Sequence, residues 1–220
     1  MPRLRSWDID PVDVDPDGIA EAQAVAGAGN LSLDGVLVSG GVYTAGDGDA
    51  ARQISITSTG NDSARTITVT GTDADGRPQT EAIAGPNTTS ESAKYWKTVT
   101  QIAVDDATVG NISAGTVDEL STRTYMLNRH SPAGALVHLQ VTGTIDATVQ
   151  LTAQDLQHGA TIGDQEDIVW MNSQDTDLVN ATANAIGNLD VGANAMRVLV
   201  NSHSSGGEVQ VYVSNSENAS

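Results

Sequence analysis

The stretch Ala135-Leu-Val-His-Leu-Gln-Val-Thr-Gly-Thr-Ile-Asp-Ala-Thr-Val-Gln-Leu151 holds two alternating runs joined by a turn. Ala135, Val137, Leu139 and Val141 share one face of an extended chain, Thr142-Gly143-Thr144 reverses it, and Ala147, Val149 and Leu151 face inward again. A period of two around a turn glycine predicts an antiparallel pair with one buried face. His138 falls on the other face, where a half-exposed histidine needs no special explanation. The signature returns near the C-terminus. There Met196, Val198 and Val200 alternate with Arg197, Leu199 and Asn201, Ser204-Ser-Gly-Gly207 turns, and Val209, Val211 and Val213 follow. Between the two, from Asp155 to Asn194, the pattern weakens into a long connection with apolar islands at Ile168 to Met171 and Leu178-Val179.

The N-terminal half shows the same texture in shorter pieces. Leu31 and Leu33, Val36 and Val38, Ile54 and Ile56, and Ile67 and Val69 alternate with small polar residues, and Asp34-Gly35, Asn61-Asp62 and Asp73-Ala-Asp75-Gly76 mark turns. Pro78 to Ile83, the stretch around Trp96, Val99 and Ile102, Thr108 to Ile112 and Thr116 to Leu120 complete a set of short, closely spaced strands. The expected class is all-β: two β-sandwich domains of jelly-roll or Ig-like type. An extended acidic N-terminal arm precedes them over residues 1–22, with Pro2, Pro11 and Pro16 among Asp8, Asp10, Asp13, Asp15 and Asp17. Domain 1 then spans 23–120 and domain 2 spans 133–220. Residues 121–132, with Arg123, Arg129, His130 and Pro132, form the linker. Ile19 to Ala28 reads as a turn or two of helix ended by Gly27 and Gly29.

Composition narrows the function. Among 220 residues, 28 acidic against 10 basic side chains give a net charge of −18, which repels phosphate and anionic lipid and argues against nucleic-acid or membrane partners. At 39% hydrophobic and only 17% charged, the chain is too apolar to be an acidic disordered segment. The absence of cysteine removes disulfides, thiol catalysis and Cys-based metal sites. No phenylalanine and 3% aromatics leave Val, Ile, Leu, Ala and Thr methyls to build the core, a palette that favours strands. The first residues lack an apolar signal region, so the expectation is a protein that folds in the cytoplasm and reaches the outside within a particle.

Chemical motifs are sparse. Asp13-Val-Asp15-Pro-Asp17-Gly18 matches the front of an oxygen-ligand calcium loop, with carboxylates at alternate positions and a glycine for the tight turn. The twelfth position is Ala24 where a bidentate glutamate is needed, and Pro16 restrains the turn, so a solvated acidic arm is the preferred reading. His130, His138, His158 and His203 form no paired metal motif, no serine sits in a nucleophile elbow, and the glycine clusters lack the following helix of a phosphate cradle. The expectation is a non-enzyme without cofactor or metal. Trp7, Trp96 and Trp170 are too scattered for a sugar-stacking platform and read as core plugs or interface anchors. Arg3, Arg5 and Trp7 form a small basic-aromatic cluster of the residue types that anchor interfaces, and are the candidate interface residues.

The segments Gly29 to Gly35, Ala51 to Ser58, Ile67 to Asp73 and Trp96 to Ile102 resemble a β-sandwich pattern of tailed-phage virion structural proteins. Val141-Thr-Gly143, Thr148-Val-Gln150, Trp170 and Arg197 to Asn201 resemble a second small β domain of phage structural genes. The resemblance implies a capsid decoration or cement protein on the virion surface, a homotrimer binding across junctions of the major capsid protein and carrying no catalytic residues. The alternative within the same resemblance is a tail or receptor-binding component that attaches to host surface glycans; a cellular adhesin or carbohydrate-binding module is the third class.

Overall fold

The computed structural model describes residues 3–127, 135–154, 156, 168–189 and 192–215. Its strands are, in the first part of the chain, β1 (Arg3–Ile9), β2 (Ala20–Gln23), β3 (Gly29–Asn30), β4 (Val38–Ser39), β5 (Val42–Thr44), β6 (Ala50–Ser58), β7 (Thr66–Thr72), β8 (Pro78–Ala84) and β9 (Thr89–Glu91). They continue as β10 (Thr98–Val104), β11 (Ile112–Thr122), β12 (Tyr125–Met126), β13 (Ala135–Thr142), β14 (Ile145–Thr152), β15 (Met171–Asn172), β16 (Ala185–Leu189), β17 (Ala195–His203) and β18 (Glu208–Asn215). A single 3-10 turn, Thr176–Leu178, interrupts them among the described residues. The chain is all-β, as expected, and forms several sheets.

Two compact units share the chain: Met1–Val12, Gly46–Ala50 and Glu119–Ser220 make one, Asp13–Ala45 and Ala51–Asp118 the other. In the first unit an antiparallel sheet runs in the order β1-β18-β13-β16. Its inward residues, among them Trp7, Ile9, Val137, Leu139, Val209 and Val211, meet Val149, Val198 and Val200 from the adjacent strands β14 and β17 in one apolar core. The alternation in sequence thus becomes a buried face whose removal from water drives the packing. Gly143 (φ +69°) and Gly206 (φ +75°) turn the β13–β14 and β17–β18 hairpins in the left-handed region that glycine enters freely.

The second unit carries its own core. The sheet β4-β5-β10-β7-β8, with β3 beside β10, supplies Ile67, Val69, Val99 and Ile102; β6 and β11 supply Ile54, Ile56 and Ile112. Trp96 is fully buried among them. The Asp73 turn between β7 and β8 is held by its own carboxylate, whose Oδ1 accepts from the Asp75 and Arg77 amides at 2.8 Å each.

Four expectations are revised. Residues 3–9 of the expected arm form β1, paired along its length with β18 from Arg3↔Asn215 to Ile9↔Val209. Trp7 and Ile9 alternate with Ser6 and Asp8, so one face of the segment is apolar enough to be buried while its prolines flank the strand. Ile19 to Ala28 contributes β2 and not helix, because Ala20 and Gln23 pair with Ala114 and Ile112 of β11. The expected strands at 108–112 and 116–120 are replaced by the single long β11. The proposed linker begins inside the fold: Ser121 and Thr122 end β11 fully buried, the Thr122 hydroxyl accepts from the Val198 amide at 2.9 Å, and Tyr125–Met126 pairs with β17. The rest of the linker, 128–132, lies outside the described residues. The chain therefore divides at several points and not at one.

Candidate functional site

The side of the β1-β18-β13-β16 sheet that faces away from its core is the most distinctive surface of the first unit. Strand register fixes its residues in rows. Ser6 lies opposite Tyr212, Tyr212 opposite His138, and His138 opposite Ile186. On one side of this row stand Ser214, Leu136 and Asn188, and on the other Asp8, Gln210 and Gln140. A solvated sheet face ordinarily carries polar residues at every such position. Here Leu136 is 42% exposed and Ile186 58% exposed. Together with Tyr212, His138, Gln140 and Ser214 they line a shallow groove of about 370 Å³. The His138 and Tyr212 rings stack with centroids 5.6 Å apart, a cross-strand aromatic pair that stiffens the floor.

One end of the face is acidic. The Tyr212 hydroxyl donates to Gln210 Oε1 at 2.8 Å, and Gln210 Nε2 donates to Glu208 Oε1 at 3.0 Å, so a chain of hydrogen bonds links the groove to a carboxylate. Asp8 stands beside it, and the Asp49 amide donates to the Asp8 carbonyl at 3.1 Å, strapping the Gly46–Ala50 segment along β1. Gly48 (φ +65°) is required in that strap, since a β-carbon would run into the Asp8 carbonyl. Burial raises the Asp8 carboxyl above the ordinary carboxylate range, and the charge and hydrogen bond of Glu208, then the charges of Asp10 and Asp49, raise it further. A carboxyl raised on folding costs stability once ionised, and that cost is relieved as pH falls through its folded value toward the unfolded one. Asp8→Asn is expected to raise the thermal midpoint at neutral pH. In thermal scans across pH the advantage of the variant shrinks on acidification; a constant advantage would show that the like charges are not its source.

The residues singled out by sequence fall elsewhere. Trp7 is buried and stacks on Tyr125 with centroids 3.6 Å apart and planes 13° from parallel, inside the core. Its indole is a packing element of the sheet. Arg5 is exposed on β1, and Arg3 takes its backbone place opposite Asn215. Of the calcium-loop residues, Asp13 and Asp17 are exposed and Asp15 half-buried. The Asp17 amide donates to Asp15 Oδ1 at 3.3 Å, and the Asp15 amide is held by the Thr116 hydroxyl at 3.0 Å. The Asp17 carboxyl is raised by its hydrogen bond with the Asp15 carboxyl, then by burial and by the Asp15 charge. Among the described residues no three His, Asp or Glu side chains gather in an arrangement able to hold a metal ion. His130 and His158 lie outside the described residues. Trp96 plugs the core of the second unit, whereas Trp170 is half-buried under the Arg197 guanidinium, 4.7 Å from its ring centroid, with Val169 and Met171 exposed beside it. Leu136, Ile186, Tyr212, Gln140 and Ser214 were not marked by sequence; the usable signal was Leu136, an apolar residue on the polar phase of an alternating strand.

No family model matches the chain, and no curated protein matches it. Among solved structures, the major capsid protein of bacteriophage PM2 aligns over 98% of this chain and 99% of that one, at 10% identity and a TM-score of 0.21, too low a score to establish a common fold.

Proposed function

We propose that this chain is a non-enzymatic structural protein of a tailed-phage virion, a decoration or cement protein that binds across junctions between major capsid subunits. The observation that carries the reading is the apolar groove on a solvent-facing antiparallel sheet, where Leu136 and Ile186 gather on an otherwise polar face in a form suited to contact with another macromolecule. The strand and turn segments resembling phage virion proteins support the choice of particle, and the charge of −18 keeps nucleic acid and anionic membrane from competing for the surface. As a homotrimer on the shell it would hold neighbouring subunits by several modest contacts at once, so that avidity and not a single strong contact resists expansion.

The test is binding of the purified protein to capsids of the virus that encodes it, with copy number counted per particle and the oligomeric state measured by sedimentation. The expected result is many symmetry-related copies per shell and a trimer in solution. A few copies per particle, or location on the tail, overturns the cement reading in favour of the receptor-binding alternative.

A further inference from the structure

We propose that the outer face of β18, β13 and β16 is the docking surface of this protein, and that its partner is a protein surface with an apolar centre flanked by lysine or arginine. The identification of that partner as a capsid subunit rests on the function proposed above; the chemistry of the surface does not.

Three features of the face select this occupant. The groove is lined mainly by apolar atoms of Leu136, Ile186, Tyr212 and His138, and its volume of about 370 Å³ admits inserted side chains. Burying such surface is the general source of affinity between proteins, and an inserted aliphatic side chain suits a floor of this composition better than a hydroxyl-rich sugar. Within the apolar lining stand the polar side chains of His138, Gln140 and Ser214, placed to fix the register of a partner's backbone or polar rim. The acidic end then sets the sign of the partner. Asp8 and Glu208 occupy outer positions of adjacent strands, and the charges of Glu208, Asp10 and Asp49 all act on Asp8.

A second copy of the chain fits poorly. The described outer positions of the four strands, Ser6 and Asp8 on β1, Glu208 to Ser214 on β18, Leu136 to Thr142 on β13, and Ile186 and Asn188 on β16, include no lysine or arginine. Two such faces packed together would bring carboxylates to carboxylates with no cation on either. A basic rim on a different protein supplies the missing charge, and the apolar groove supplies the contact.

The experiment has two arms. In the first, capsids of the encoding virus are titrated with wild-type protein, Leu136→Ser/Ile186→Ser, Glu208→Lys and the control Val109→Ser, whose exposed valine lies in the second unit; circular dichroism and melting establish that each variant folds. The double variant is expected to lose affinity by about tenfold or more, as for removal of a central apolar contact. Glu208→Lys weakens binding and flattens its dependence on salt, and the control binds as wild type. In the second arm, methyl signals of Leu136 and Ile186 are followed by NMR during titration with a synthetic leucine peptide flanked by lysines, the same peptide flanked by glutamates, and N-acetylglucosamine. Selective shifts with the lysine-flanked peptide are expected. Wild-type binding to capsids that the double variant retains overturns the docking face and leaves the capsid function standing. Selective peptide binding without any capsid binding overturns the capsid function and leaves the docking face standing. Shifts with the sugar alone, or equal shifts with both peptides, overturn the proposed partner chemistry.

Discussion

Trp7→Ala is expected to destabilise the first unit by about 3–5 kcal/mol, the range for truncating a buried tryptophan. The indole is 5% exposed, lies flat on Tyr125 and belongs to the same core as Val137, Leu139 and Val211. Its loss removes the aromatic stack and opens a cavity under the edge of the sheet. Trp7→Phe keeps a ring over Tyr125 and should recover a large part of the loss. Since a chain with two units need not unfold in one step, the measurement is hydrogen exchange resolved by residue. The Val209, Val211 and Val213 amides of β18 should lose protection in Trp7→Ala, while those of Ile67 and Val69 in the second unit keep theirs. Deleting residues 1–9 should do more, because it bares an edge of β18 that β1 covers through seven paired positions, and an uncovered edge invites association. A free arm could be removed without either effect, so unchanged exchange in β18 would contradict the pairing.

The same strand shows where the sequence was legible and where it was not. The runs at Ile54–Ile56, Ile67–Val69, Ala135–Val141, Ala147–Leu151 and Val209–Val213 all became strands, because a period of two with one apolar phase has few other outcomes. In β1 that phase is short, Trp7 and Ile9 amid charges and prolines, and its strand partner is at the far end of the chain, where Val209 lies opposite Ile9. Pairing at such separation is set by tertiary packing and leaves no local trace. Ala20 to Gln23 departs from its local preference for a related reason: alanine-rich segments favour helix in isolation, and the neighbouring β11 overrides that preference. The groove was half legible. Leu136 breaks the polar phase of its strand within the sequence itself, but that Tyr212, His138 and Ile186 become neighbours follows from the order β18-β13-β16, which brings residues from three distant segments into one row.

Asp62 is the buried carboxylate on which the largest polar effect should fall. It is 1% exposed, and it ties two turns of the second unit together: Ser58 Oγ donates to Oδ2 at 2.6 Å, the Val109 amide to Oδ1 at 2.6 Å, and the Gly110 amide to Oδ2 at 3.2 Å. Gly60 and Gly110 pack so closely beside it that a β-carbon on either would strike the other's backbone, so the turns cannot shift to find new partners. Asp62→Ala strands a hydroxyl and two amides in a buried site and is expected to cost about 3–5 kcal/mol. Asp62→Asn retains an acceptor but turns amide hydrogens toward one of the donors, and should fall between. The dependence on pH has a definite sign. Burial pushes the Asp62 carboxyl up, yet the Ser58 hydroxyl, the Val109 and Gly110 amides and the Arg65 charge together hold it below the ordinary carboxylate range. A carboxyl lowered on folding stabilises the protein fully above its unfolded value, about 3.9, and that contribution is lost as pH falls through the folded value. The stability gap between wild type and Asp62→Ala, measured by urea unfolding, should therefore be constant through neutral pH and narrow on acidification below about pH 4. A gap that widens there would mean that the protonated carboxyl, and not the ionised one, holds the two turns together.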